Sequence, residues 1–232
     1  VFPIPDDDSW QQSKQIGATA VDAESGILKL FWSELASGAT AGHDMCFNAA
    51  EGRWESDAVA ANGTYYVYGI DKGGNVTKNG TPVILTKIDP YAPHAEITVG
   101  DPQTTGWEWL DTFLETITFG RFSRENREVE ISAWDDESGV ARVEYLVAAE
   151  GIAKADITAD TLVWTEYSGL VKPTLKTDDN YVVYAKVTDL AGNVMYAGSD
   201  GMVFDATAPE LSGTATVTPE WAVGTDSQVS VS

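Results

Sequence analysis

The 232-residue sequence predicts an all-β chain built from tandem antiparallel β-sandwiches. Three observations carry that prediction. Short alternating runs rich in Val, Thr, Ile and aromatic residues recur between turn residues. Eight Trp, nine Tyr and seven Phe accompany 21 Gly, as expected of many strands joined by many turns. And nearly the same phrase is written twice: "GTYYVYGIDKGGNV" from Gly63 to Val76 and "DNYVVYAKVTDLAGNV" from Asp179 to Val194.

The repetition extends beyond that pair. "ATAVDAESGI" (Ala18 to Ile27) matches "ISAWDDESGV" (Ile131 to Val140), and "KIDPYAPHAEI" (Lys87 to Ile97) matches "VFDATAPELSG" (Val203 to Gly213). Asp135 lies 113 residues after Asp22, Asp189 118 after Asp71, and Asp205 116 after Asp89. A period this long, with a fixed internal order, predicts tandem domains rather than a short-repeat solenoid. Pro in D-x-x-A-P removes a backbone donor and fixes φ, which suits a linker. The expected units are therefore residues 1–88, 89–207 and the incomplete start of a third repeat, 208–232. In that last stretch "DSQVSVS" aligns with "NREVEIS", and a strand without its partners is expected to be loosely ordered or to lean on a neighbour. An opening at "VFPIPDDDSW" without Met is expected of a processed or excised piece.

In the second unit, Glu128 to Trp134 alternates with Val129, Ile131 and Ala133 on one face. Val140 to Val147 follows the D-x-E-S-G turn. Asp156 to Leu162 reads as a weak helical or turn insertion. Tyr181 to Val187 places Tyr181, Val183, Ala185 and Val187 inward, and Gly201 to Asp205 closes the unit. "GWEWLDTFLETITFG" is the exception: Trp107, Leu110, Phe113, Leu114 and Ile117 sit at helical spacing, so a short helix is expected near 107–117. The first unit matches poorly through "GHDMCFNAAEGRWESDAV", which leaves its strand assignment open there.

The combination of "AWDDESGV", "WTEYSG", "YVVYAKVTDLAGNV" and "FDATAP", in that order, resembles the bacterial immunoglobulin-like (Big-type) repeats of Gram-positive cell-surface proteins. The resemblance implies immunoglobulin-like sandwiches in extended, secreted, multidomain proteins at the cell surface or wall. There such modules serve as spacers or adhesive units, and their partners are neighbouring repeats in the same chain and host glycans or proteins.

In such a sandwich the turns after strands B and F lie at one end, where the incoming linker also enters. Asp89, Asp135, Glu137, Asp189 and Asn193 are thus expected to converge at the top of the second unit. Two readings follow. The plainer is turn chemistry, with Asp accepting backbone N–H bonds and Gly tolerating φ > 0. The sharper is a calcium site on Asp89, Asp135, Glu137 and Asp189, because Ca²⁺ takes six to eight oxygens. No run has the D-x-[DN]-x-[DN]-G spacing of a dedicated loop, and Ala23 stands in the first unit where Asp136 stands in the second. No cofactor is required; calcium is the candidate.

The remaining signals mainly exclude. A formal charge of −22 makes nucleic acid and anionic membrane surfaces poor partners. No apolar run approaches 18 residues, so no membrane insertion is expected in this segment. One cysteine, Cys46, excludes an intrachain disulfide and is expected to pack as a small hydrophobe. His43 and His94 lack a repeated Ser or Asp companion, and no G-x-S-x-G, H-E-x-x-H, phosphate loop or C-x-x-C occurs, so catalysis is not expected. Trp134 has the spacing of a core residue. Trp107 and Trp109, on the expected cap, are the candidate glycan- or protein-binding patch. The expected function is a non-catalytic extracellular stalk or spacer. The alternative is a glycan- or protein-binding adhesin, or an accessory module of a secreted carbohydrate-active enzyme.

Overall fold

The computed structural model describes residues 1–100, 107–108, 121–153, 155–176, 178–210, 215–218 and 228–231. Every α-helix or strand assigned among them is a strand. The first eight are β1 (Phe2–Pro3), β2 (Gly17–Thr19), β3 (Ile27–Ser33), β4 (His43–Asp44), β5 (Cys46–Asn48), β6 (Arg53–Glu55), β7 (Gly63–Asp71) and β8 (Thr81–Leu85). They form two antiparallel sheets, ordered β1-β2-β6-β5 and β4-β3-β7-β8. Between the sheets lies one cluster that includes Ile16, Ala18, Leu30, Val67, Leu85 and Ile88. The stretch that the sequence left open is the β4 to β6 region, where Phe47 lies opposite Trp54 in a hairpin at the sheet edge.

The next nine strands are β9 (His94–Val99), β10 (Trp107–Glu108), β11 (Arg121–Ser123), β12 (Val129–Trp134), β13 (Val140–Ala148), β14 (Thr165–Glu166), β15 (Asp179–Asp189), β16 (Val194–Gly198) and β17 (Met202–Phe204). A β9–β12 pair packs across a separate cluster onto the sheet β10-β16-β15-β13-β14. From the first layer come Ala95, Ile97, Val99, Val129 and Ile131; from the second, Tyr181, Val183, Ala185, Val187 and Ala197. The inward residues expected of β15 are therefore buried in this core. Last, β18 (Ala215–Thr218) and β19 (Gln228–Val231) form an antiparallel hairpin.

The repeated phrase writes β7 and β15, the central strands of their sheets. It is apolar on both faces because both faces are covered. Tyr68 and Tyr184, equivalent in the two copies, are fully buried on the outward side. Tyr68 stacks on Phe31 at 5.2 Å and donates its hydroxyl to the Leu35 carbonyl at 2.6 Å. The Tyr184 hydroxyl accepts the Ile152 N–H at 2.7 Å and packs beside Ile157 and Trp164. The insertion near 156–162 is thus a set of turns that roofs this face, with Ile157 only 1% exposed.

Three expectations need correction. Trp107 and Glu108 are strand, paired with Gly198 and Ala197, not the start of a helix. The rest of the expected helix, through residue 117, lies outside the described residues, as does Trp109. Trp134 is 40% exposed at the end of β12, stacked on His94 at 5.3 Å, because alternation puts it on the outward face with Glu130 and Ser132, opposite Val129, Ile131 and Ala133. Cys46 is exposed, since it falls on the outer edge strand β5, where no neighbouring strand covers it.

Candidate functional site

The turns that follow β12 and β15 are built by their own aspartates. Asp135 Oδ1 accepts the N–H groups of Glu137 at 3.1 Å and Gly139 at 2.6 Å, and the Ser138 hydroxyl at 3.4 Å. Asp189 accepts the Asn193 backbone N–H at 2.8 Å and its side-chain amide at 2.7 Å. Gly139 and Gly192 sit at φ of +88° and +89°, where a Cβ would be strained. The two turns are tied together by Leu190 N–H donating to the Gly139 carbonyl at 2.9 Å.

The linker enters between them. Asp89 is fully buried. Its Oδ1 accepts Tyr91 N–H at 3.0 Å, which is an Asx-turn, and its Oδ2 accepts Ser138 N–H at 3.1 Å. Its carbonyl accepts a second hydrogen of the Asn193 amide at 2.9 Å. Its own N–H donates to the Gln11 carbonyl at 2.9 Å, so one residue is bonded to segments on both sides of it in the chain. Burial pushes the Asp89 carboxyl up, but the Ser138 and Tyr91 donors outweigh it and hold the group below the usual aspartate value.

Three of the four carboxylates expected to converge do so. One oxygen from each of Asp89, Asp135 and Asp189 lies within 4.8 Å of the others, and Asp189 is 2% exposed. Glu137 is exposed and is not one of the three; it lines an open cleft of about 410 Å³ that Asp89 and Asp135 also line. Asn193 joins the group as expected. Ser138 was not anticipated; in the sequence its residue type signals only a turn, yet both its hydroxyl and its backbone N–H act on the Asp89 carboxylate. Three crowded carboxylates attract a hard cation and supply part of its oxygen shell. The donor set is all oxygen, which suits Ca²⁺ or Mg²⁺ and not a soft metal.

The first sandwich carries the same turns. Asp22 accepts Gly26 N–H at 2.6 Å and Ser25 N–H at 3.0 Å. Asp71 accepts Asn75 N–H and its side-chain amide, each at 2.8 Å. Lys72 N–H donates to the Gly26 carbonyl at 3.0 Å. Of the remaining tryptophans, Trp32 stacks on His43 at 4.1 Å, and Trp54 packs on the core beside Phe47.

No family model matches the chain, and no curated protein matches it. Among solved structures, the chain is similar to Clostridium thermocellum CbhA fibronectin(III)-like modules, at 16% identity. That match covers 88% of this chain and 94% of the other, with a TM-score of 0.33.

Proposed function

We propose that the chain is a non-catalytic extracellular spacer of serial immunoglobulin-like units, with a stiff junction at Asp89–Pro93. One observation carries this reading: the repeated polar residues are consumed in closing turns and in holding the linker. Asp89 alone bonds Gln11, Ser138 and Asn193. Groups already engaged in this way are poor candidates for acid–base work, and they fix a direction between successive units. Net charge of −22 adds mutual repulsion that keeps such a chain extended and soluble.

Limited proteolysis tests the idea. Cleavage within 89–93 is expected to be as slow as cleavage inside the strands, since backbone groups of the linker are bonded. Preferential early cutting there would overturn the stiff-spacer reading.

A second reading has its own support. The three carboxylates within 4.8 Å favour calcium as a fastener of the same junction. Calcium is then expected to raise the melting temperature of the second sandwich, and a chelator to lower it again. Adhesion through Trp107 and Trp109 has a glycan array as its direct test.

A further inference from the structure

The junction at Asp89 has two halves, and each recurs alone elsewhere in the molecule. The first half is the linker. Asp205 repeats Asp89 closely: its N–H donates to the Ser123 carbonyl at 3.0 Å, and its Oδ1 accepts Thr207 N–H at 3.1 Å. The preceding unit grips each linker from the start of its central strand. Asn62 makes a two-way amide bond with the backbone of Ile88, at 2.8 and 2.9 Å. Asp178, the matching residue 116 positions on, accepts Ala206 N–H and both donors of Thr207. Yet Asp205 is exposed, whereas Asp89 is fully buried.

The second half is the turn pair that receives the linker. Ser138 and Asn193, which hold Asp89, are 6% and 9% exposed. Their counterparts Ser25 and Asn75 are both exposed. Asn75 satisfies Asp71 with one amide hydrogen, as Asn193 satisfies Asp189, but has no counterpart of the bond to a linker carbonyl among the described residues. Ser25 N–H, lacking a linker carboxylate, turns to Asp22 Oδ2 instead.

We propose that the turn pair Asp22–Gly26 and Asp71–Asn75 is a docking end for an Asp-x-x-Ala-Pro linker belonging to a preceding unit of the same kind in the polypeptide. This rests on the serial-spacer reading above. The occupant is set by the filled copy of the same socket: in the second sandwich that segment occupies Ser138 and Asn193. Docking moves Ser25 N–H from Asp22 to the incoming aspartate and gives the second Asn75 hydrogen a carbonyl. Register fixes where the linker enters. Phe2 pairs with Thr19 as Glu96 pairs with Ser132, so the residue ahead of Val1 takes the place of His94.

The test is a graft. The six residues of Asp89–His94 are placed directly before Val1 of the full chain. The melting transition of the first sandwich, assigned by hydrogen exchange of β7, is expected to rise by roughly 4–8 °C, the shift of about one net hydrogen bond in a unit this size. Exchange at Ser25 N–H is expected to slow, and replacing the grafted aspartate by Ala is expected to cancel both effects. Asn75→Ala is expected to cost more in the grafted chain than in the ungrafted one, a coupling that a general loss of turn stability does not produce. A graft that leaves both melting and Ser25 exchange unchanged overturns the proposal. If it does so while 89–93 resists protease, the spacer reading survives and this inference alone falls. Sedimentation of the ungrafted chain addresses the source. Association that Asn75→Ala and Asp205→Ala each abolish would assign the socket to a second copy and overturn the in-chain linker.

Discussion

Asn75 and Asn193 make the same two bonds to their own aspartates, at nearly the same distances, yet one is exposed and the other is buried. The turn after the central strand is therefore complete without the linker. What the linker adds at the second sandwich is burial, a third carboxylate and a cross-connection. The lesson is that the repeated motif encodes two things at once, a way to end a strand and a surface that accepts the next piece of chain. The second is seen where the linker meets Ser138 and Asn193.

The comparison is broken most sharply by removing the amides. Asn193→Ala leaves the Asp89 carbonyl and Asp189 Oδ2 each short of a donor in a buried site. Two such acceptors, partly relieved by relaxation, should cost about 3 kcal/mol of second-sandwich stability. Asn75→Ala exposes its stranded acceptor to water and should cost the first sandwich less than about 1 kcal/mol. Denaturant unfolding with separate reporters for the two sandwiches measures both. Equal losses would mean that the linker contributes nothing to the buried copy.

Much of this fold was legible in the sequence, and the reasons are local. Alternation along Tyr181–Val187 and Val129–Ala133 named the inward faces, because a strand's period of two is imposed by its backbone. The landmark order placed Asp89, Asp135 and Asp189 together. Other features depended on what lay across from them. The outward burial of Tyr68 and Tyr184 needed roofing loops, at Leu35 and Ile152, that carry no pattern of their own. Trp134 was expected in the core, but the alternation of Val129, Ile131 and Ala133 puts it on the outward face with Glu130 and Ser132. Glu137 shared a motif with Asp135, yet it is exposed and stands outside the carboxylate group that Asp135 joins. Ser138 acts on Asp89 through both its hydroxyl and its N–H, and only the fold brings the linker within their reach.

Calcium sharpens the comparison at intermediate size. Only the second sandwich brings three carboxylates together among the described residues. Calcium at ten times its dissociation constant should stabilise that sandwich by about 1.4 kcal/mol and leave the first unmoved. Asp135→Asn should erase the response. Calorimetry with and without chelator reads it, and an equal shift in both sandwiches would point to diffuse screening of the acidic surface instead.

Acid should narrow the difference by the smallest amount. Asp22 is held below the ordinary aspartate value of 3.8 by the Ser25 hydroxyl together with the Gly26 N–H, and Asp71 by the Asn75 amide. Asp178 is lowered by the Thr207 hydroxyl. Asp89 is lowered despite its burial. For each of these groups the folded state binds a proton less readily than the unfolded chain. Their stabilisation is therefore fully present above the ordinary value and is lost as pH falls through the lower folded value. Melting temperature should stay flat from neutral pH to about 5 and decline below about 4 in both sandwiches. Asp22→Asn and Asp71→Asn keep an acceptor oxygen at each turn but remove the titration. They should make the acid limb of the first sandwich shallower, leaving the share carried by Asp6, Asp7 and Glu55, which are also held low, and leave that of the second intact. If the first sandwich still melts as steeply in acid, its turns are held by geometry alone, and the carboxylates common to the two ends do not carry their shared stability.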